Sequence, residues 1–220
     1  MIEPFLQIAA DKNVKLVAVS KTHPVERILE VYQHGQRIFG ENRAQEMQVK
    51  HSVLPKDIEW HMIGHLQTNK VKYIASFVQM IHSVDSLTLL LEINKQGQKY
   101  NRTIDCLLQF HIASETTKFG FDLSEAEALL KTAEFHELTN IRICGVMGMA
   151  TFTDDKTLVR NEFKTLKTIF THLKQTYFKD SDFFTEISMG MSDDWEIAVE
   201  EGSTMIRIGS LIFGNRSYNI

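Results

Sequence analysis

The sequence has little of the features that mark secreted or membrane proteins. Only two cysteines occur in 220 residues. Cys106 and Cys144 each lie inside an apolar run, which excludes a disulfide framework and is typical of buried thiols in a reducing compartment. No run approaches the roughly 18 apolar residues of a membrane span, and the amino terminus lacks a basic segment followed by a long apolar stretch. We therefore expect a soluble, cytoplasmic protein.

The sequence also lacks an excess of one charge. Lys and Arg total 24, Asp and Glu total 28, and the formal net charge is -4. Because there is no basic stripe and no long run of one sign, nucleic acid and anionic membranes are poor candidates as primary partners. Three signature motifs are missing as well: the G-x-S-x-G elbow, the Walker loop and the G-x-G-x-x-G fingerprint.

What the sequence does contain is a regular alternation of two kinds of segment. Short runs rich in Val, Ile, Phe and Met are each followed by a longer segment with helical spacing of apolar residues. The predicted strands are residues 15–21, 37–41, 59–64, 80–84, 105–112, 141–149, 183–189 and 205–211. Strands that alternate with helices pair in parallel through right-handed crossovers. The sequence therefore predicts an α/β fold, a single (β/α)8 TIM-type barrel over residues 1–220, with a doubly wound open sheet as the alternative.

Capping patterns help to place the helices between these strands. Ser86 is suited to cap the helix that follows the fourth strand, and Ser124 with Glu127 forms a capping-box pattern. The longest predicted helix covers residues 156–175, where apolar residues form one stripe.

Polar residues and glycines gather where the predicted strands end. In a (β/α)8 barrel the active site lies at the carboxyl ends of the strands, and phosphate is often held after strands seven and eight. The candidate site residues are Lys21, Asn42, His65, Ser83, Ser188, Met189, Arg207, Gly209 and Ser210. We expect them to converge on one face of the barrel.

Lys21, in the run V-A-V-S-K-T, is the most informative of these residues. At a barrel mouth, desolvation lowers the pKa of a lysine and frees its amine to attack an aldehyde. The alternative is a structural lysine whose stem packs at the strand end while its amine stays in water.

Two glycine-serine turns follow strands seven and eight. Gly209 with Ser210, and the turn 188–192, offer N–H groups and hydroxyls of the kind that bind phosphate. The alternative for Ser192 is a structural role, because Asp193 and Asp194, which follow it, are suited to cap the next helix. A lysine amine and a phosphate turn are the two attachments that pyridoxal 5'-phosphate (PLP) needs, one for its aldehyde and one for its phosphate.

Arg207 should face the barrel interior or its rim, because its neighbours Ile206 and Ile208 face the other way. There it is suited either to contact a ring nitrogen or a phosphate, or to pair with an acidic residue. A metal site is not expected, because His61 and His65 lie roughly 13 Å apart on an extended strand.

Motifs along nearly the whole chain resemble one family. They are K-L-V-A-V-S-K-T (15–22), F-G-E-N (39–42), W-H-M-I-G-H-L-Q-T-N-K (60–70), H-S-V-D-S (82–86), S-E-T-T-K-F-G-F (114–121), G-V-M-G-M-A (145–150), S-M-G-M-S-D-D (188–194) and R-I-G-S-L-I-F-G (207–214). The chain is identified as a member of the PLP homeostasis proteins, also called the proline synthase co-transcribed proteins, which are related to the barrel domain of alanine racemases.

The resemblance implies a role for individual residues. It assigns the internal aldimine with PLP to Lys21, the phosphate to Ser188, Gly209 and Ser210, and the pyridine ring to Arg207. It places three further residues in the lining of the pocket: Asn42, His65 and Ser83. The chain departs from the family pattern at Arg43, where many members carry an aromatic residue, at Ser210, where many carry Thr, and in having only about fourteen residues before the first strand.

The resemblance also implies a PLP carrier that acts in vitamin B6 homeostasis with little or no catalysis. Alanine racemases take a second acid-base group from another domain, and no such domain is expected here because the chain ends at Ile220. An arginine at the ring nitrogen weakens the electron sink. The alternatives are a small PLP-dependent amino-acid racemase or lyase, and a lysine-dependent aldolase. PLP-dependent apo-enzymes are the expected recipients, and we expect a monomer or a weak homodimer.

Overall fold

Eight parallel strands close into a barrel in the computed structural model, which describes residues 2–114 and 119–214. The strands are β1 Lys15–Val19, β2 Ile38–Glu41, β3 Glu59–Met62, β4 Met80–Val84, β5 Ile104–His111, β6 Ile141–Met149, β7 Glu186–Ser188 and β8 Met205–Ile208. Each strand pairs with the next in sequence, and β8 pairs with β1 in the register Lys15↔Met205 to Ala18↔Ile208. The predicted (β/α)8 barrel is confirmed, and the open sheet is wrong.

Helices surround the barrel. They are α1 Glu3–Lys12, α2 Val25–Gln33, α3 Ala44–Val53, α4 Leu87–Lys99, α5 Leu123–Leu130, α6 Ala133–His136, α7 Lys156–Thr176, α8 Trp195–Glu200 and α9 Ser210–Phe213. Helix α1, which precedes the first strand, was not predicted. The third crossover is a 3₁₀ helix, Thr68–Tyr73, in place of the expected α-helix. None of the helices within the described residues is long and apolar enough to cross a membrane.

The helix caps agree with the sequence in one case and differ in another. Ser86 caps α4 as predicted, and its Oγ accepts a hydrogen bond from the Leu89 N–H at 3.3 Å. The capping box of α5 was predicted two residues too late, because Asp122 and Glu125 form it, each accepting the backbone N–H of the other at 2.8 Å. The carboxylate of Asp122 is the acceptor that Ser124 was expected to supply.

Side chains alternate between two apolar layers along the strands. The larger layer packs between the sheet and the helices and includes the buried rings of Phe39, Trp60 and Phe163. A smaller cluster fills the barrel interior: Val17, Met80, Leu107, Cys144, Met147 and Met205. Both free cysteines are buried as expected, and burial raises the pKa of the Cys144 thiol to about 12.

Two strands end just before the residues that the sequence singled out. Strand β1 ends at Val19, so Lys21 lies in the following turn, and β8 ends at Ile208, so Gly209 and Ser210 start α9. These residues therefore lie at the carboxyl end of the barrel. Residues 115–118 of the motif at 114–121 lie outside the described residues, as do Met1 and residues 215–220, which include the predicted chain end.

Candidate functional site at the barrel mouth

A cavity of about 550 Å³ opens at the carboxyl ends of the strands. It is lined by Val19, Lys21, His23, Asn42, Ile63, Met149, Met191, Ser192, Asp193, Arg207, Gly209, Ser210 and Gly214. Five of the predicted site residues belong to this lining: Lys21, Asn42, Arg207, Gly209 and Ser210. The mouth therefore combines an amine, a guanidinium, an amide and a glycine-serine turn around one space.

The turn that carries Lys21 is anchored on both sides. The Ser20 N–H donates to the Gly40 carbonyl at 3.0 Å, and the Thr22 N–H donates to Glu46 Oε1 at 2.6 Å. Thr22 has a φ of 67 degrees, in the left-handed region. A residue with a branched β-carbon adopts this conformation only when its surroundings impose it. The position of Lys21 is thus fixed by contacts of its neighbours.

A buried ion network lies behind this turn. Lys50 on α3 is 5% exposed, and its Nζ donates to Glu41 Oε1 at 2.8 Å, to Glu46 Oε1 at 2.7 Å and to the Ser20 carbonyl at 2.8 Å. Ser20 Oγ also donates to Glu41 Oε1, at 2.5 Å. Burial raises the pKa of Glu41 to about 7, against the opposing effects of Lys50 and Ser20. Burial also opposes ionisation of Glu46, but the hydrogen bonds from Lys50 and Thr22 lower its pKa overall.

Two turns meet at the side of the cavity formed by β7 and β8, next to β1. The Gly209 N–H donates to Ser192 Oγ at 3.3 Å, which joins the turn after β8 to the turn after β7. Gly190 shapes the latter turn, because it has a φ of 95 degrees and a Cβ there would lie 2.6 Å from Ala198 Cβ. The N–H groups that open a helix have no acceptor within it. Ser210 begins α9, so this corner offers N–H and hydroxyl donors together.

Arg207 points into the barrel, as the alternation along β8 predicted. It is 4% exposed, and it donates to Ser188 Oγ at 2.6 Å and to the Gly148 carbonyl at 3.1 Å. Burial lowers the pKa of Arg207 to about 10, opposed by the charge of Asp194. The guanidinium therefore stays protonated at neutral pH. Ser188 is fully buried beside it and is not among the residues that line the cavity.

Two buried histidines continue this contact into the barrel interior. Ser188 Oγ lies 2.9 Å from His82 Nδ1, and His82 Nε2 lies 2.9 Å from His61 Nδ1. Burial, with the charge of Lys15, lowers the pKa of His61 to about 3. Burial, with His61 and Arg207, holds the pKa of His82 well below its usual range. Both rings are therefore neutral. Arg207 donates to Ser188 Oγ, Ser188 Oγ donates to His82 Nδ1, and His82 Nε2 donates to His61 Nδ1. This assignment gives every ring nitrogen in the three contacts one consistent role, as a donor or as an acceptor.

Besides Ser188, three more predicted site residues lie away from the cavity lining. His65 is half exposed and pairs with Asp85 at 3.2 Å, on the edge of a separate groove. Met189 is fully buried in the outer apolar layer. Ser83 is also fully buried, and its Oγ has no hydrogen-bond partner within the described residues.

Several residues of the lining were not predicted as site residues. His23 follows Lys21 in the same turn and stacks on Phe213, with ring centroids 4.8 Å apart. Met149 is the last residue of β6. The rule that strand ends form the site could have identified Met149, whereas His23 and Met191 reach the cavity through turns whose shape the sequence does not specify. Within the described part of the chain, no group of three His, Cys, Asp or Glu side chains is placed to hold a metal.

The fold and the site together define a barrel of the alanine racemase type. The family model described as the alanine racemase N-terminal domain matches residues 4–217. The PLP homeostasis protein of Aquifex aeolicus (strain VF5) is 41% identical over 206 residues, covering 93% of this chain and 88% of the relative. That of Escherichia coli (strain K12) is 34% identical over 212 residues, covering 94% and 88%. The chain belongs to the pyridoxal phosphate homeostasis protein family, as the sequence motifs predicted.

Solved structures resemble the whole barrel. PipY of Synechococcus elongatus PCC7942, solved with PLP bound, has a TM-score of 0.85 and 34% identity, covering 97% of this chain and 100% of PipY. Alanine racemase from Bartonella henselae has a TM-score of 0.69 and 16% identity, covering 96% of this chain and 61% of the racemase. The second likeness is one of fold alone.

Proposed function

We propose that this protein binds PLP at the barrel mouth, holds it as a Schiff base on Lys21 and acts in PLP (vitamin B6) homeostasis in the cytoplasm with little or no catalysis. The observation that carries this proposal is the shared lining of one cavity by Lys21, Arg207 and the Gly209–Ser210 turn. When bound, PLP supplies an aldehyde that reacts with amines and a ring that withdraws electrons. The PLP-bound structure of PipY supports the same ligand here.

The groups around the cavity fit the two ends of PLP. The Ser210 N–H and the hydroxyls of Ser192 and Ser210 are suited to a phosphate, beside the Gly209 N–H, which donates to Ser192 Oγ at 3.3 Å. The protonated Arg207 is suited to the pyridine nitrogen. Gly209 brings this turn close to the end of β1, because a Cβ at this position would lie 3.3 Å from Val19 Cβ. Asn42, which follows the end of β2, lines the same cavity.

Ser188 contributes indirectly in this proposal. Because its Oγ accepts from Arg207 and contacts His82, it orients the guanidinium rather than the phosphate. His65, Ser83 and Met189 are given no direct contact with PLP, because they lie outside the cavity lining.

The covalent step is reversible and needs no further reagent. The Lys21 amine adds to the aldehyde carbon, a C=N bond forms and one water leaves; hydrolysis returns the amine and the free aldehyde. A guanidinium with a pKa of about 10 does not give up its proton at neutral pH, so it keeps the pyridine nitrogen unprotonated. An unprotonated ring is a weaker electron sink, which favours storage of PLP over turnover of amino acids.

The decisive experiment combines visible absorbance, borohydride reduction and peptide mass spectrometry on the purified protein with PLP. We expect a yellow protein whose colour is lost on reduction, with the reduced adduct on Lys21. Lys21→Ala should abolish the adduct, whereas Lys72→Ala, at an exposed position, should retain it. A colourless wild-type protein, or an adduct on another lysine, would contradict the proposal.

The low catalytic capacity is tested separately by exchange of the α-hydrogen of amino acids in deuterated water. We expect no exchange above that of free PLP. Steady exchange that disappears in Lys21→Ala would contradict the carrier function and would indicate a small racemase or lyase instead. Transfer of PLP from the protein to a PLP-dependent apo-enzyme, faster than from free solution, would identify such enzymes as partners.

A further inference from the structure

The ammonium of Lys50 lies in an unusual place for a charge. Its side chain is 7% exposed, and its two carboxylate partners, Glu41 and Glu46, are 0% and 23% exposed. Removing such groups from water costs free energy that the ion pairs only partly return, so a buried pair is weak evidence of a stabilising role. A function other than stability is therefore the better explanation for the charge.

The contacts of Lys50 converge on the two residues that flank Lys21. It donates directly to the Ser20 carbonyl, and it fixes Glu46, whose Oε1 accepts the N–H of Thr22. Thr22 is the residue with a left-handed backbone, which its surroundings must impose. One ammonium thus holds the backbone immediately before and immediately after Lys21.

The same ammonium also reaches the second strand of the mouth. Glu41 is the last residue of β2, and the next residue, Asn42, lines the cavity. Because Glu41 Oε1 accepts from both Lys50 and Ser20, the ends of β1 and β2 are joined through one carboxylate. A displacement of Lys50 would therefore move two walls of the cavity together.

We propose that Lys50 is a positioning residue, which acts through Ser20, Glu41 and Glu46 to hold the Lys21 turn in the geometry that binds the aldehyde. This inference rests on the proposed function. It assigns Lys50 no contact with PLP; its effect is to fix the amine of Lys21 relative to the phosphate turn at Gly209. Small displacements of a reacting group have large effects on a covalent step.

The test compares Lys50→Met with Arg142→Met, which removes an ion pair with Asp105 at the opposite end of the barrel. Three quantities are measured: the melting temperature, the Kd for PLP, and the backbone hydrogen exchange of the segment 20–22 in protein without PLP. In Lys50→Met we expect PLP affinity to fall about tenfold and exchange of Thr22 to rise about tenfold. In Arg142→Met we expect a lower melting temperature with both other quantities within about twofold of wild type.

Visible circular dichroism of the bound PLP gives a further readout, because it reports how the chromophore is held. We expect the signal per bound PLP to fall in Lys50→Met and to stay unchanged in Arg142→Met. If Lys50→Met does not fold, the same measurements are made on Glu46→Ala. This variant removes the acceptor of the Thr22 N–H at a position that is partly exposed.

The outcomes separate the two proposals. Wild-type affinity and exchange in a folded Lys50→Met protein, or in Glu46→Ala, would overturn the role of Lys50. Equal loss of affinity in Arg142→Met at a matched fall in melting temperature would overturn it as well. Failure of the wild-type protein to bind PLP would instead overturn the proposed function, while the exchange measurement would still report whether Lys50 holds the turn.

Discussion

The two ends of the barrel are built from the same strands but differ in what fills them. At the carboxyl ends a cavity of about 550 Å³ is bordered by Lys21 and by two glycine-bearing turns. At the amino ends, Lys15 pairs with Glu186 at 2.5 Å, and Arg142 binds Asp105 through two hydrogen bonds of 2.7 and 2.9 Å. The mouth is open and is lined by amine, guanidinium and hydroxyl groups, whereas the base is occupied by ion pairs.

The barrel interior between the two ends explains why a change at one end should have little effect on the other. An apolar cluster, with Val17, Leu107 and Met205 among its members, fills the interior above the base. The series of hydrogen bonds that runs from Arg207 through Ser188 and His82 to His61 satisfies the polar groups that lie below the cavity. Changes at the base should therefore alter stability alone, and changes at the mouth should alter binding alone, in keeping with the division of labour in (β/α)8 barrels.

The largest expected effect is on stability, at Gly145 in the lower half of β6. A Cβ there would lie 1.8 Å from the Glu186 carbonyl oxygen, and the φ is 153 degrees. Because backbone atoms must separate to admit it, Gly145→Ala should lose more than about 4 kcal/mol of unfolding free energy in urea titrations.

Gly35→Ala is the matched control for this change. Gly35 has a φ of 99 degrees, but a Cβ would meet nothing within 4 Å, so strain alone should cost about 1 kcal/mol. Equal losses in the two variants would show that the lower half of the barrel is not closely packed around β6 and β7.

The second effect is a loss of stability at acid pH, which arises from a histidine in the barrel interior. The pKa of His61 falls from 6.5 to about 3 on folding, so between these values the unfolded chain binds a proton that the folded protein does not. Stability is therefore greatest above pH 6.5 and is lost as the pH falls through this window. From pH 6.5 to about pH 4 the loss from His61 should be about 3 kcal/mol.

Urea midpoints measured across this pH range provide the test. His61→Gln should flatten the acid slope, whereas His65→Gln, at the half-exposed rim, should keep the wild-type slope. A flattened slope in His65→Gln alone would place the sensitivity at the mouth and contradict the comparison.

A third, smaller effect is expected at the base. Arg142→Met leaves the nearly buried carboxylate of Asp105 without its two charged hydrogen bonds and should cost about 2 kcal/mol. Arg37→Met, which removes a pair with Asp57 at 3.0 Å between half-exposed side chains, should cost less than about 1 kcal/mol. Thermal unfolding measures both, and equal costs would remove the distinction between a packed base and an ordinary surface.

The sequence was sufficient for the barrel and for part of its mouth. Apolar periodicity is a local signal, so all eight strands were found, and the parallel direction of the strands brought Lys21, Asn42, Arg207, Gly209 and Ser210 to one end. Which side chain faces inward is less predictable, because it depends on the register between strands.

Strand β4 illustrates this limit. Its pairing with β5 shifts by one residue between Ile81 and Val84. His82 faces the interior like Met80, two residues before it, whereas Ser83 lies within the shifted stretch and is buried without a partner in the described part of the structure. A bulge of this kind has no signature in the sequence of one strand, since the partner strand determines it. Lys50 was missed for a related reason: helical periodicity does not reveal which polar residue turns toward a neighbouring loop.

The smallest expected effect distinguishes the two ends most directly, through two serines. Ser210→Ala removes a hydroxyl that lines the cavity and should weaken PLP binding about tenfold, with stability within about 0.5 kcal/mol of wild type. Ser203→Ala should do the opposite, because the buried Ser203 Oγ lies within hydrogen-bond reach of the carbonyls of Ile187 at 3.2 Å and Met189 at 2.8 Å, outside the cavity lining. It should lose about 1 kcal/mol of stability and keep its PLP affinity. Spectroscopic PLP titration and urea unfolding measure the two quantities, and a loss of both in either serine variant would mean that the mouth and the base are coupled.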